Sequence, residues 1–353
     1  MPGKTLSGST LSGGEFERQL AGYRSRVAPL LQAAIPQGEP SKYLYALLQS
    51  QMQREGKGLR PALCLATCGA FQGDDGRALP TAAALELLHN AFLIHDDIED
   101  SSEYRRGKPT LHREHGIPLA VNAGDAMNAL SARLLKQNLG LLGPELAARI
   151  FDEFDHMSIQ TLEGQAMELG WIHDNDCNTT EDDYLRMVLK KTGWYSFIHP
   201  LRLGALIAQG ERTSNLDVFN RLGFFLGTAF QIQDDVLNLT GDRSRYGKEI
   251  GGDLLEGKRT LILANLFKQV NATEKARLVT FFGKPRAQRL PRELAWVYEQ
   301  LYKYQSIDFA RRAAADFAEG ARRELQTAFD GASSGPDLSF VSALVDYLVQ
   351  REV

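Results

Sequence analysis

The chain has 353 residues, 43% of them hydrophobic and 24% charged, the balance of an ordinary soluble globular protein. A formal net charge of -4 argues against a general nucleic-acid binder, which would carry a basic stripe. No apolar run reaches membrane-spanning length, and three cysteines (Cys64, Cys68 and Cys177) form no even disulfide framework, so a reducing cytoplasm is the expected setting.

The first 14 residues, "MPGKTLSGSTLSGG", lack the apolar stretch of a secretory signal and read as a flexible tail. From residue 15 onward the pattern predicts helix after helix. "YLYALLQSQM", "ALCLATCGAF", "TAAALELLHNAFLIHDDIED" and "AGDAMNALSARLLKQNLGLL" keep apolar residues three and four apart. So do "ELAARIFDEFDHMSIQTLEGQAMEL", "DDYLRMVLKKTGWYSFIHPLRLGALIAQ", "LDVFNRLGFFLGTAFQIQDDVLNLT", "RTLILANLFKQ" and the C-terminal "LSFVSALVDYLVQ". Breaks fall where Gly, Pro, Asp and Asn cluster, at "FQGDDGRALP", "HDNDCNTTEDD", "GDRSRYGKEIGG" and "DGASSGPD". Alternating strand patterns are absent. No low-complexity linker divides the chain, so 15–353 reads as one all-α domain. Several helices are apolar on most faces, which places them at the centre of a large bundle.

The pair Asp-Asp occurs four times, and the copies control for one another. Asp74-Asp75 sits in a turn, and Asp182-Asp183 precedes a helix, where carboxylates suit the positive helix end. Asp96-Asp97, after "AFLIH", and Asp234-Asp235, after "GTAFQIQ", instead lie well along apolar helices, where unpaired carboxylates are expensive. Each has a follower one turn on, Asp100 and Asn238, on the same helix face. Stacked carboxylates suit a hard divalent cation, and magnesium needs only one or two of them when a substrate phosphate supplies further oxygens.

The basic residues come in separate segments. "EGKGLRP" holds Lys57 and Arg60, "YRRGKPT" holds Arg105 and Arg106, "LKKTGWY" holds Lys191 beside Thr192, and "GKEIGGDLLEGKRT" holds Lys248 and Lys258. Arginine forks grip phosphate oxygens in bidentate fashion and lysine adds a point charge. "GKGLRP" does not fit the P-loop pattern and follows no strand. Metal-bound and cation-bound diphosphates together explain why acidic and basic runs adjoin.

Taken in order, "GKGLRP", "DDIED" with "RRGKPT", "KKTG", "GTAFQIQDDVLN" and "GKEIGGDLLEGKRT" resemble the trans-isoprenyl diphosphate synthases, or polyprenyl synthetases. The resemblance spans about residues 40 to 350. It implies the isoprenoid-synthase bundle around a central cavity, a homodimer, and head-to-tail addition of isopentenyl diphosphate to an allylic diphosphate. It implies that Asp96, Asp97 and Asp100 face Asp234 across three Mg²⁺ ions. Arg105, Lys191 and Lys258 would grip the allylic diphosphate, and Lys57, Arg60, His89 and Arg106 that of isopentenyl diphosphate. Thr192 and Gln231, with the Lys191 carbonyl, would turn oxygens toward the reacting centre, and Lys248 would help close the site. A tail growing back along the Asp96 helix would meet Phe92, Ala91 and Leu88 as its floor, which predicts a C20 product with C15 second. Asn238 departs from the family's usual Asp and puts metal affinity or product release in question. Two other readings are a class I terpene cyclase, which leaves "GKGLRP" and "RRGKPT" unexplained, and a non-catalytic prenyl-diphosphate-binding partner subunit, for which Asn238 is the only hint.

Overall fold

The computed structural model describes residues 11–54, 56–210, 215–241 and 249–350. Its long helices are α1 (Gly13–Ala34), α2 (Leu59–Ala70), α3 (Leu79–Glu99), α4 (Ile117–Leu135), α5 (Pro144–His173), α6 (Glu181–Val188), α7 (His199–Gln209), α8 (Val218–Thr240), α9 (Leu261–Gln269), α10 (Ala272–Phe282), α11 (Pro291–Lys303), α12 (Ser306–Ala328) and α13 (Pro336–Gln350). α1 begins at Gly13 because Ser12 and Glu15 form a reciprocal capping box. A π-helical stretch, Leu189–Ile198, joins α6 to α7 without a break.

α3 is the central rod. From Pro80 to Ala91 every side chain is buried, which is why its sequence shows so little amphipathic patterning. α4 packs along it, α2 and α1 flank it, and α8 lies against α12 and the π-helical stretch. The main apolar core fills the space between α1, α2, α3, α7, α8 and α13. A second core gathers α6, the end of α8, and α9 to α12. A third, smaller one lies between α3 and α4.

The π-helical stretch is wedged between backbones. A Cβ on Gly164 of α5 would collide with the Lys191 amide nitrogen, and one on Gly227 of α8 would lie 2.8 Å from the Gly193 Cα. Glycine at these positions lets two helices approach the widened turn that carries Lys191 and Thr192. The far end of that stretch is tied by charge. His199 Nδ1 lies 2.9 Å from Glu153 Oε2, and its Nε2 lies 3.0 Å from His156 Nδ1. Arg202 forks onto both Glu153 oxygens at 2.6 and 2.7 Å and reaches Asp217 at 2.8 Å.

Two short strands, Tyr104–Arg105 and Lys108–Pro109, pair antiparallel, although the sequence shows no strand pattern. Two residues are too few for alternation to register. The turn between them carries positive φ at both Arg106 (53°) and Gly107 (75°), the requirement of the tight hairpin turn whose twist matches its strands.

Burial pushes the His199 imidazole down to about 4, against the pull of Glu153. A histidine in the unfolded chain titrates near ~6.5, so between there and about 4 the unfolded chain binds a proton that the fold refuses. Stability therefore falls as pH drops through that window, by up to ~1.4 kcal/mol per pH unit for one proton. Urea titrations at several pH values should show this slope, and His199→Asn should flatten it.

Candidate active site

The acidic end of α3 is built around ion pairs. Arg105, turned inward by the hairpin, donates through Nε to Asp97 at 2.6 Å and through Nη2 to Asp96 at 3.1 Å. Lys191 reaches Asp96 at 3.5 Å and also pairs with Glu168 of α5. Lys258 sits 2.8 Å from Asp100, 3.0 Å from Glu256 and 3.7 Å from Asp253. Burial pushes Asp100 up to about 7 against the pull of Lys258. Burial acts in the opposite direction on Lys258, yet Asp100, Glu256 and Asp253 together hold its ammonium well above its ordinary value. Lys191 is likewise raised, because Glu168 and Asp96 outweigh its desolvation. Every cation here is therefore charged at neutral pH.

Across the gap, Asp234 of α8 lines the same cleft as Asp96. Its neighbour Asp235 is buried and accepts from Tyr184 Oη at 2.7 Å and from Gln231 Nε2 at 2.9 Å. Thr192 Oγ1 in turn donates to Gln231 Oε1 at 2.9 Å. This chain fixes orientation. Asp235 holds the amide nitrogen of Gln231 on its own side, and Thr192 spends its only hydroxyl proton on Gln231. Toward a third partner Thr192 can only accept, so it presents lone pairs.

The opposite wall is cationic. Arg60 lies over the Tyr195 ring at 4.2 Å and donates to Ser196 Oγ at 2.7 Å. Lys57 lies 5.4 Å from the Tyr347 ring centroid. Arg106, whose backbone points it away from Arg105, donates to the Arg54 carbonyl at 2.6 Å. Burial, then the positive field of Arg60 and Arg106, push the His89 imidazole well below its usual range, so it is neutral. His89 Nδ1 and Arg60 Nε are buried and have no hydrogen-bond partner among the described residues. Orphaned polar atoms in a cleft wall call for a ligand or water.

The cleft so formed holds ≈ 460 Å³ and is lined by Lys57, Arg60, His89, Phe92, Asp96, Arg105, Arg106, Lys191, Thr192, Gln231, Asp234 and Lys258, among others. Asp97 and Asp100 stand behind it, salt-bridged to Arg105 and Lys258. Phe92 meets Tyr195 edge-on at 5.6 Å. Ala91 and Leu88 are not brought to this lining: Ala91 packs with Ile94, Ala120 and Met127 between α3 and α4, and Leu88 is in the main core. On this helix Ala91 faces the α4 side while Phe92 faces the cleft. Lys248 lies outside the described residues.

Glu168, Tyr184 and Glu86, which the sequence reading did not single out, complete the site with Asp235. Glu168 anchors Lys191, Tyr184 and Asp235 orient Gln231, and Glu86 is a buried carboxylate in the field of Arg60 and Arg106. A lone carboxylate in an apolar helical run, as in "QAMELG" or "ALELLH", was the available signal.

Among the described residues no three carboxylate, imidazole or thiolate groups cluster closely enough to hold a cation by themselves. Magnesium keeps a few carboxylate ligands and takes the rest from phosphate and water. Hard carboxylate oxygens from α3 and α8, facing one cleft, fit that donor set.

A helical cleft with carboxylates on two walls and cationic side chains around them suits one class, the prenyltransferases that work on diphosphates. The chain belongs to the polyprenyl synthetase family, whose sequence profile matches residues 41–301. It is 33% identical to a geranylgeranyl pyrophosphate synthase of Geoglobus acetivorans over 93% of this chain and 95% of that one. The fold superposes on a geranylgeranyl pyrophosphate synthetase from Pyrococcus horikoshii with a TM-score of 0.84, at 31% identity, covering 96% of this chain and 99% of that one. It superposes with a TM-score of 0.83, at 26% identity, on a Caulobacter crescentus polyprenyl synthase complexed with calcium and isoprenyl diphosphate, covering 98% and 99% of the two chains. The protein is thus a trans-prenyl diphosphate synthase with the all-α isoprenoid-synthase fold.

Tyr184→Phe removes one of the two donors that orient Asp235. We expect kcat to fall about tenfold, the worth of one buried hydrogen bond to a charged group, with KM little changed. Steady-state kinetics on the purified variant checks this.

Proposed function

We propose that the cleft adds isopentenyl diphosphate to an allylic diphosphate to give C20 geranylgeranyl diphosphate. The observation that carries this reading is that one cleft gathers carboxylates of two helices, Asp96 and Asp234, with Lys57, Arg60, Arg105, Arg106, Lys191 and Lys258. Two relatives with well-matched length or fold, from Geoglobus and Pyrococcus, are named as C20 synthases, which supports the product length. C15 is the second candidate.

Arg105, Lys191 and Lys258 would hold the allylic diphosphate beside the acidic end of α3. Lys57, Arg60, His89 and Arg106 would hold the diphosphate of isopentenyl diphosphate on the opposite side. Asp96, with Asp97 and Asp100 alongside, and Asp234 would hold Mg²⁺, three ions on the family pattern. When bound, the metal supplies Lewis-acid neutralisation of the departing diphosphate. As the C–O bond of the allylic substrate breaks, the fixed oxygen dipoles of Thr192 and Gln231, joined by the Lys191 carbonyl, face the allylic cation and stabilise it without adding to it. The double bond of isopentenyl diphosphate attacks, and the proton lost from the new bond passes to the departed diphosphate. Phe92 and Tyr195 form the aromatic wall against which the tail extends.

Three further features belong to this reading. Exposed Ile117 and Val121 on α4, with Ile159 and Leu162 on α5, suit a homodimer face, to be read from sedimentation equilibrium. The three free, buried cysteines suit a reducing cytoplasm, which fractionation of the host cell would check. Among the described residues no helix is long and apolar enough to cross a membrane.

Incubation with dimethylallyl, geranyl and farnesyl diphosphates in turn, each with and without isopentenyl diphosphate, tests the reaction. Chain extension to C20 only when isopentenyl diphosphate is present is expected; a cyclic hydrocarbon from farnesyl diphosphate alone would defeat it. Asp96→Ala should cut turnover by more than ~100-fold while leaving the fold intact by circular dichroism. Phe92→Ala should lengthen the products; an unchanged chromatogram would remove Phe92 from the wall.

A further inference from the structure

Lys258 reaches the acidic end of α3 from an unusual support. The helix before it, Gly252–Glu256, has five residues, far too few to be stable alone. Glycines with positive φ flank it, Gly251 at 77° and Gly257 at 83°. Its unsatisfied end groups are answered from outside. At the start, the Asn238 carbonyl accepts the Gly251 N–H at 2.7 Å, and Asn238 Oδ1 accepts the Asp253 N–H at 3.0 Å. At the end, Arg289 Nη1 donates to the carbonyls of Leu254 and Leu255 at 3.0 and 2.8 Å, and its Nη2 donates to the Phe282 carbonyl at 2.8 Å. Arg259 donates to the Gly257 carbonyl, to that of Asp176 at 2.6 Å and to Asn175 Oδ1 at 2.8 Å. All three side chains are buried.

We propose that Asn238, Arg289 and Arg259 are positioning residues: a backbone clamp that ties the segment 251–257 to α8 and α10 and so aims Lys258 at Asp100. The side chain at position 238 then serves the clamp and not the metal-binding face of α8. What this place needs for aiming Lys258 is a side-chain oxygen, and an amide supplies it without the stability cost of a further charge beside Asp253 and one turn from the buried Asp235. Arginine suits the other end, because its planar fork spans neighbouring carbonyls where a lysine meets one or two. The inference rests on the reading of Lys258 as a ligand of the allylic diphosphate.

The test pairs kinetics with amide hydrogen exchange on the full chain. Asn238→Leu removes the acceptor, Asn238→Asp restores it, and Arg289→Lys weakens the far end. We expect Asn238→Leu and Arg289→Lys to raise KM for geranyl diphosphate about tenfold, the loss of one or two net hydrogen bonds. KM for isopentenyl diphosphate should stay within about twofold, and Asn238→Asp should return the allylic KM to within about twofold of the parent. Protection of the Gly251 and Asp253 amides should drop in Asn238→Leu, while protection in α3 is kept. Equal rises in both KM values, or no rise, would overturn the clamp. Lys258→Ala separates the two ideas. If it leaves the allylic KM unmoved, the role of Lys258 falls, and amide exchange alone decides. Unchanged protection of Gly251 and Asp253 in Asn238→Leu then overturns the clamp.

Discussion

The site depends on one electrostatic constraint: three carboxylates, Asp96, Asp97 and Asp100, lie at the end of a helix that is mostly apolar and deeply buried. Charges withdrawn from water cost several kcal/mol each unless they are paired. Arg105, Lys191 and Lys258 answer them, and these come from a hairpin, a π-helical turn and the segment just after a five-residue helix, far apart in sequence. Much of the architecture around the cleft serves to bring those three cations to one place. On the proposed reading, a diphosphate and its metal ions would meet positive and negative side chains that are already partly desolvated and paired.

The packing behind the site is correspondingly tight. Backbone meets backbone where α5 and α8 approach the π-helical turn at Gly164 and Gly227. The turn is further tied at its end by the chain of hydrogen bonds through His199, Glu153 and Arg202. Thr192 and Gln231 inherit that rigidity, and the contact of Tyr184 with Asp235 sets which end of the Gln231 amide faces its neighbours. Preorganised dipoles of this kind cost no rearrangement at the moment charge develops.

Much of this was legible in the sequence, for a physical reason. Carboxylates one turn apart in an apolar helix are costly enough to be conspicuous, so Asp96, Asp100 and Asp234 stood out. The unbroken helical periodicity conveyed the all-α class. What was hidden depends on partners remote along the chain. Asn238 looked like a weakened metal ligand, but its oxygen binds a backbone N–H 15 residues on. Glu168 and Tyr184 acquire meaning only once the helices are docked. The hairpin at 104–109 is too short for any periodic signal. Ala91 and Phe92, neighbours in sequence, part company because a helix turns them to different sides, one to α4 and one to the cleft.

That hairpin has a geometric corollary. Because the chain reverses at Arg106 and Gly107, two consecutive arginines leave the backbone in opposing directions, one to Asp96 and Asp97, the other to the Arg54 carbonyl. On the proposed reading they touch different substrates. A single reverse turn then couples the two diphosphate sites: the spacing of their arginines is fixed through a few covalent bonds, so a residue inserted there would shift one site relative to the other.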